Sequence, residues 1–356
     1  MEIHRFSLTH KLFLLASVIL LFGVAILFLH KTHATLLPNA SGILSANKGL
    51  LLYSSGSGNT FGVRSLESSA TPSIVSDFGN TTSMKGDRWL HLSPDRKLLS
   101  VTINPLGTDS PPFTYISTIN GTPLTEVYSG DFVSWAPDSS KVLLYVSLTE
   151  SPWMRKIYSL DVHDNYSDAG LPDGTISADI SPVDGSILYS FTSGGTDAST
   201  LYIRDPQGNT KVLLKRDNSI LTWVRWSPKG DKIAFMRSNL AIDSGDQSVW
   251  IVNPDGAGSE KISIAVWGYP PAWSPNGAKF AFSNGADIWE YDAAGKSLRN
   301  VTNWGKGAAH PNYSADGNTI VFASGASGEQ QIWAAQDGGV VRLTAGGQEK
   351  DYPILP

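Results

Sequence analysis

The chain has 356 residues, a net charge of −5 and 41% hydrophobic residues, which is typical of a globular protein. Its charge gives no basic footprint, so we do not expect nucleic-acid binding, which requires clustered Lys and Arg. The chain contains no cysteine, which excludes disulfides, thiolate nucleophiles and Cys-based zinc sites.

Residues 1–11 form a short N-terminal tail. Residues 12–29 are apolar apart from Ser17 and Gly23, and as a helix they would span about 27 Å, enough to cross a bilayer. We therefore predict a single transmembrane signal-anchor helix, followed by a linker at residues 30–41 that is broken by Pro38. A cleaved signal peptide is the alternative. In both cases the domain at residues 42–356 is expected to lie outside the cytoplasm, in the periplasm or the extracellular space.

A hairpin pattern recurs through residues 42–356, and its clearest copy is the segment 224–235. An apolar strand stops at Trp226-Ser227-Pro228, a turn contains Gly230, and an alternating strand restarts at Lys232. The interval between copies is 40 to 48 residues. The copies centre on Ser45, Ser93, Ala136, Ser181, Ser227, Ser274 and Ser314.

A third strand and, in several copies, a fourth follow each hairpin, as in residues 287–292 and 298–302. Four strands at this interval are typical of a propeller blade, and seven copies predict an all-β, seven-bladed β-propeller of four-stranded antiparallel blades. A helical repeat is the rival, but the segments between hairpins alternate with the period of strands.

Aromatic residues recur at equivalent positions of the copies, for example Trp135, Trp226 and Trp273 before the turn and Trp250 and Trp289 on third strands. They could be mistaken for a sugar-binding platform. Because they recur in each blade, we interpret them as the core between blades.

The chain ends 42 residues after Ser314, where the inner strand of an eighth copy would begin. Propellers commonly close by letting one terminus complete the blade that the other begins. We therefore expect residues 352–355 to pair beside the first blade, near residues 50–53.

Polar residues stand two positions before the aligned serines, on the innermost strands, where the period of two directs them toward the central channel. The candidate channel-lining ligand or partner residues are His91, Asp179, Arg225 and Asn312. The candidates at the channel mouth are Arg88, Asp131, Tyr269, His310 and Asp351. Side chains satisfied by water or by the next blade, and caps of the strand starts, are the alternative interpretations.

No catalytic constellation, metal-ligand spacing or cofactor motif is recognisable in the chain. The segment Asp243-Ser244-Gly245-Asp246 offers two carboxylates, which is too few oxygens for a calcium ion. Long connections between second and third strands, such as residues 104–112 and 237–247, are suited to recognition if they share one face.

The order Trp-Ser-Pro-Asn-Gly at residues 273–277, Lys-Ile-Ala-Phe at 232–235 and Leu-Thr at 343–344 resembles the TolB-like, WD40-like propeller repeat. It also resembles the propellers of prolyl-oligopeptidase-type peptidases, without their hydrolase domain. The resemblance implies a non-enzymatic, monomeric, membrane-anchored module that binds a protein or peptide partner in the cell envelope. Two alternatives stay open: a polysaccharide lyase or hydrolase acting in the channel, and a sensor domain for small ligands.

Overall fold

The computed structural model describes residues 43, 50–57, 60–66, 73–77, 86–105, 111–148, 151–192, 198–216, 218–239, 247–264, 270–346 and 349–356. The chain divides into two units, Met1–His33 and Ala34–Pro356. The predicted tail, transmembrane helix and linker all lie outside the described residues. Within the described ranges, no helix has the length and apolar character needed to span a bilayer.

The described residues form seven antiparallel sheets of four strands each, and neighbouring strands are joined in chain order in every sheet except the first. The prediction of an all-β propeller with four-stranded antiparallel blades is thereby confirmed. The first three blades are β28 (Glu349–Ile354), β1 (Leu51–Ser57), β2 (Thr60–Leu66) and β3 (Ser73–Asp77); β4 (Gly86–Leu92), β5 (Leu98–Pro105), β6 (Phe113–Thr118) and β7 (Tyr128–Ser129); and β8 (Asp131–Trp135), β9 (Lys141–Leu148), β10 (Ser151–Asp161) and β11 (Tyr166–Asp168).

The other four sheets have the same order from the inner to the outer strand. They are β12 (Thr175–Ile180), β13 (Ile187–Phe191), β14 (Thr200–Arg204) and β15 (Thr210–Lys215); β16 (Ser219–Trp226), β17 (Ile233–Asn239), β18 (Gln247–Val252) and β19 (Glu260–Ile264); β20 (Ala272–Trp273), β21 (Lys279–Ser283), β22 (Ile288–Asp292) and β23 (Ser297–Asn300); and β24 (Ala309–Tyr313), β25 (Ile320–Ser324), β26 (Gln331–Gln336) and β27 (Gly339–Arg342). We number the sheets blade 1 to blade 7 in the order given.

The hydrophobic core lies between the blades. Seven clusters of buried side chains are found in the described part of the chain, and each draws its members from two neighbouring blades. The cluster that contains Leu51 and Val321 joins blade 7 to blade 1, so the set of contacts closes into a ring. Such a ring leaves a channel along its axis, bordered by the inner strand of every blade.

The repeated tryptophans belong to this core. Trp135 donates its indole N–H to the carbonyl oxygen of His91 at 3.1 Å, and Trp273 donates to Arg225 at 3.3 Å; each bond reaches the inner strand of the preceding blade. The interpretation of these aromatic residues as packing between blades is confirmed.

The C-terminal strand β28 forms the inner strand of blade 1 and pairs with β1, with Leu52 opposite Ile354. The predicted closure is thus confirmed. Ile354 and Leu355 are both buried. The backbone of Leu355 also accepts a 2.5 Å hydrogen bond from the Arg96 guanidinium, which ties the terminus to blade 2.

The serine that marks each repeat has a structural role in the turn between the inner two strands. Ser314 is buried, and its hydroxyl donates to Asp316 at 2.6 Å while it accepts the Thr319 N–H at 3.0 Å. Ser274 makes the corresponding bonds in blade 6. The side chain satisfies backbone groups that the tight turn leaves without strand partners, which explains why the motif recurs.

Two repeats lack the turn glycine and would be expected to form looser hairpins, but the structure shows the same turn in both. Arg96 and Ser139 adopt φ of 62° and 61°, where Gly230 has 70°. The Arg96 N–H donates to Ser93 at 2.9 Å, as the Gly230 N–H does to Ser227 at 2.8 Å. In the first of these turns the buried Ser93 accepts the Leu98 N–H at 3.0 Å, whereas the second turn has Ala136 at that position; a side chain with this φ costs roughly 1 kcal/mol.

Candidate functional site

The inner strands run in the same direction through the channel. The Val224 and Trp226 N–H groups on β16 bond to the side chains of Ser177 and Asp179 on β12, so the two strands advance in parallel register. In an antiparallel blade of this order, the start of the inner strand and the connection between the second and third strands lie on one face. We call it the mouth face. The end of the second strand and the start of the third strand of each blade therefore lie on the face on which the channel strands begin.

Three of the four predicted channel-lining residues influence one another. His91 lies on β4 and Arg225 on β16, and the pKa of His91 responds to the charge of Arg225 across the channel. Asp179 on β12 also lies within the electrostatic range of Arg225. Asn312 is partly exposed on β24, opposite Val321. The role of these four residues in binding stays a prediction.

His91 is held as a neutral imidazole. Burial lowers its pKa to about 3, and the nearby Arg225 and His310 act in the same direction. Its ring stacks on Phe132 of the next blade with centroids 3.9 Å apart. Its Nε2 atom is buried and has no hydrogen-bond partner within the described residues.

Asp179 is a buried carboxyl whose ionised form is unfavourable. Burial raises its pKa to about 6, against the opposing effect of Arg225 and of the Trp226 N–H, which donates to Oδ2 at 2.7 Å. This bond crosses from blade 4 to blade 5. Asp179 therefore joins two blades as well as facing the channel.

Arg225 does not form an ion pair in the described part of the chain. Its only side-chain hydrogen bond there runs from Nη1 to the carbonyl oxygen of Val224, at 2.9 Å. No guanidinium nitrogen comes within 4.0 Å of a carboxylate of Asp179, although the two charges interact. Most of the guanidinium N–H groups are thus left for other acceptors in the channel.

An aromatic cluster, of which only His310 was among the predicted mouth residues, narrows the channel above these residues. The ring of Trp89 on blade 2 lies 5.8 Å from that of Trp223 on blade 5 and 6.0 Å from that of Tyr352 on blade 1. Tyr352 in turn stacks on His310 of blade 7, at 3.8 Å. We call Trp89, Trp223, Tyr352 and His310 the mouth cluster.

β-Bulges position the mouth cluster. The register of β16 shifts between Thr222 and Arg225, and that of β24 shifts between Ala309 and Asn312. Trp223, His310 and Tyr352 all have positive φ, between 50° and 51°. A non-glycine residue in this region carries strain, and bulges of this kind redirect side chains near functional sites. The strain is consistent with a role for these rings beyond packing.

A sequence signal for the cluster does exist. Trp89, Trp223 and His310 each stand four positions before the aligned serine, one period of two upstream of the channel-lining residues. Tyr352 belongs to the unfinished repeat, so it has no serine to align. The bulges break the alternation, which is why periodicity alone did not bring these residues together.

The structure describes the side chains of three of the five predicted mouth residues. His310 Nδ1 lies 2.5 Å from Asp351 Oδ1, with 11% and 24% of the side chains exposed, so these two candidates form one pair. Asp131 begins β8, opposite Tyr145, and is partly exposed. Arg88 lies on β4, where only its backbone is described, and Tyr269 lies outside the described residues.

Few side-chain arrangements suited to catalysis are found among the described residues. No group of three or more His, Cys, Asp or Glu there is arranged to hold a metal ion. The segment 243–246, considered for calcium, lies outside the described residues. Among the described residues, the channel contains polar side chains, and the guanidinium of Arg225 forms no ion pair there. The aromatic rings of the mouth cluster lie above these side chains.

The fold defines a β-propeller with a channel along its axis. Residues 183–355 match the family model described as the TolB beta propeller domain. This match confirms the resemblance to the TolB-like propeller repeat that is seen in the sequence. Among curated proteins, none matches the chain in sequence.

Two solved structures are similar in fold. The β-propeller domain of the Trilobed protease from Pyrococcus furiosus aligns with a TM-score of 0.55 and 11% identity, over 84% of this chain and 95% of that one. An oligogalacturonate lyase in complex with manganese aligns with a TM-score of 0.54 and 13% identity, over 78% of this chain and 82% of that one. At these identities the likeness shows the fold alone.

Proposed function

We propose that the protein is a non-catalytic recognition module that binds a protein or peptide partner of the cell envelope at the mouth face of its propeller. The observation that carries the proposal is the mouth cluster. Its rings come from four different blades, and three of them, Trp223, His310 and Tyr352, are held with positive φ. The TolB-type family supports a protein partner, and the proposed membrane anchor at residues 12–29 would hold the module in the envelope.

The mouth face carries the residue types that are enriched in protein interfaces. Tryptophan and tyrosine supply large, rigid contact area and are enriched among the residues that dominate binding energy. Trp89, Trp223 and Tyr352 are all partly exposed, so a partner could cover them. The pair formed by His310 and Asp351 adds polar groups at the edge of the rings, as in the polar rim of an interface.

The single test is affinity capture from solubilised membranes with the full chain as bait. Three baits are compared: wild type, Trp223→Ala in the mouth cluster, and Val212→Ser. Val212 is 59% exposed on β15, the outer strand of blade 4, so its substitution is a matched surface control. Loss of a large anchor at the centre of an interface typically weakens binding by 2 kcal/mol or more, about 30-fold.

We expect wild type and Val212→Ser to recover the same protein, and Trp223→Ala to recover at least ten times less of it. Circular dichroism and melting of each bait establish that the variants are folded. Equal recovery with all three baits, or no specific protein with wild type, would refute the proposal.

A further inference from the structure

At the level of Trp89 and His91, the channel holds polar atoms that have no hydrogen-bond partner in the described residues. The Arg225 guanidinium makes one hydrogen bond, to its own neighbour Val224, and no ion pair within the described residues. Trp89 Nε1 and His91 Nε2 are buried and have no partner in the same part of the chain. Their rings lie 6.5 Å apart and edge to face, so both orphan atoms belong to one neighbourhood of the channel.

Unsatisfied polar atoms of this kind are uncommon in folded proteins, because each has lost its hydrogen bonds to water without replacement. An indole N–H is only a donor, and a guanidinium is only a donor. A neutral imidazole donates from one of its nitrogens. The group that would satisfy this set is therefore an acceptor, and the charge of Arg225 favours an anion.

The charges around the channel limit which anion fits. Asp351 Oδ1 lies 2.5 Å from His310 Nδ1, so this carboxylate is engaged by a partner other than Arg225. Arg225 and Asp179 face each other without an ion pair, and Asp179 already accepts the Trp226 N–H. Burial keeps His91 uncharged. The single charge of Arg225, which Asp179 partly offsets, suits a singly charged, planar anion better than a doubly charged phosphate, and the guanidinium fork matches the two oxygens of a carboxylate.

We propose that the channel binds a carboxylate between the Arg225 guanidinium and the imidazole of His91. The carboxylate is carried either by a small free acid or by the end or side chain of a peptide. In the peptide case the inference deepens the proposed function by naming the feature of the partner that enters the channel. In the small-acid case the site works independently of any partner.

The experiment follows the histidine side chains of the full chain in detergent by 15N-selective NMR, at constant ionic strength. His91→Gln assigns the His91 signals. Acetate is titrated against its neutral analogue acetamide, and N-acetyl-triglycine, which has a free carboxyl end, is titrated against its C-terminal amide. We expect acetate to shift the His91 signals to saturation and acetamide to leave them unchanged.

Variants locate the site. Arg225→Gln removes the charge and should weaken acetate binding at least tenfold, whereas Arg225→Lys should retain part of it. Arg204→Gln is the matched control, because Arg204 bonds to the Gly170 carbonyl on the surface of blade 4 and away from the channel. Asp179→Asn removes the opposing charge, keeps an oxygen for the Trp226 N–H, and should tighten acetate binding several-fold.

The outcomes separate the sources. Binding of N-acetyl-triglycine at least tenfold tighter than acetate, lost in its amide, identifies a peptide carboxylate, and equal or weaker binding identifies a small acid. Equal responses to acetate and acetamide in the wild type would overturn the inference even if Arg225→Gln failed to fold. So would acetate binding that Arg225→Gln leaves intact. Neither result depends on the capture experiment with Trp223→Ala, so this inference and the proposed function can fail separately.

Discussion

Replacing Asp179 by Asn should stabilise the folded protein at neutral pH. In the folded state burial raises the pKa of Asp179 from 3.8 to about 6. Above pH 6 the folded protein therefore carries a negative charge at Asp179, and this charge is less favourable in the folded state than in the unfolded chain. At about 1.36 kcal/mol per pKa unit, the difference corresponds to roughly 3 kcal/mol of lost stability. Asn reproduces the neutral form and can still accept the Trp226 N–H.

The sign of the pH dependence follows from proton binding. Between pH 4 and pH 6 the folded state holds more protons at Asp179 than the unfolded state, so this group's contribution to stability falls as pH rises through that window. The advantage of Asp179→Asn over wild type should therefore be largest above pH 6 and vanish near pH 4. For a domain of this size, 3 kcal/mol corresponds to a melting temperature higher by about 4 °C.

His91 acts in the opposite direction over much of the same range. Burial lowers the pKa of His91 from 6.5 to about 3, so the unfolded chain takes up its proton first and stability falls as pH drops below 6.5. In wild type the two groups largely offset each other between pH 4 and pH 6. In Asp179→Asn only the effect of His91 remains. The melting temperature of this variant should therefore fall more steeply with decreasing pH than that of wild type.

The assay is thermal melting of the full chain in detergent, followed by intrinsic tryptophan fluorescence from pH 4 to pH 8. Asp205→Asn is a suitable control, because Asp205 lies in an exposed turn where its partner is Asn209. A melting temperature of Asp179→Asn below that of wild type at pH 7.5 would refute the reasoning. So would a difference between the two proteins that does not shrink toward pH 4.

Three further predictions concern the ring. Deleting residues 349–356 removes the inner strand of blade 1, so circular dichroism should show loss of the cooperative melting transition; an unchanged transition would contradict closure by this strand. Gly256→Ala should lower the melting temperature more than Gly338→Ala, although their φ values are 86° and 80°. A Cβ at Gly256 would lie 2.5 Å from the Leu213 carbonyl oxygen, whereas one at Gly338 meets nothing within 4 Å, and equal effects would count against this explanation. Glu290→Gln should lower the free energy of unfolding, measured with a chemical denaturant, by about 1–3 kcal/mol. The buried Glu290 carboxylate accepts hydrogen bonds from Arg299 and Tyr313 at 2.9 Å each. An unchanged free energy of unfolding would show that these hydrogen bonds do not stabilise the fold.

The architecture could be predicted from the sequence because its determinants are local and repeated. The serine before each turn bonds to groups two to five residues away, as Ser314 does to Asp316 and Thr319. Such contacts leave the same short pattern in every copy. Closure by residues 349–354 could also be inferred, since an unfinished repeat at one end implies a partner strand at the other.

The candidate site could be predicted only in part. The period of two along the inner strands selected His91, Asp179 and Arg225 as candidates, and the structure places His91 and Asp179 within electrostatic range of Arg225. It could not show that Arg225 and Asp179 face each other without an ion pair, because their separation depends on how blades 4 and 5 pack.

The contacts within the mouth cluster were decided by the tertiary structure. Trp89 and Trp223 are 134 positions apart in the chain and meet because blades 2 and 5 face each other across the channel. The bulges that turn Trp223 and His310 have no local signature, since neither residue is a glycine. A repeat determines which strands form a blade, but contacts across the axis arise only when the ring closes, and these contacts decide what the channel can bind.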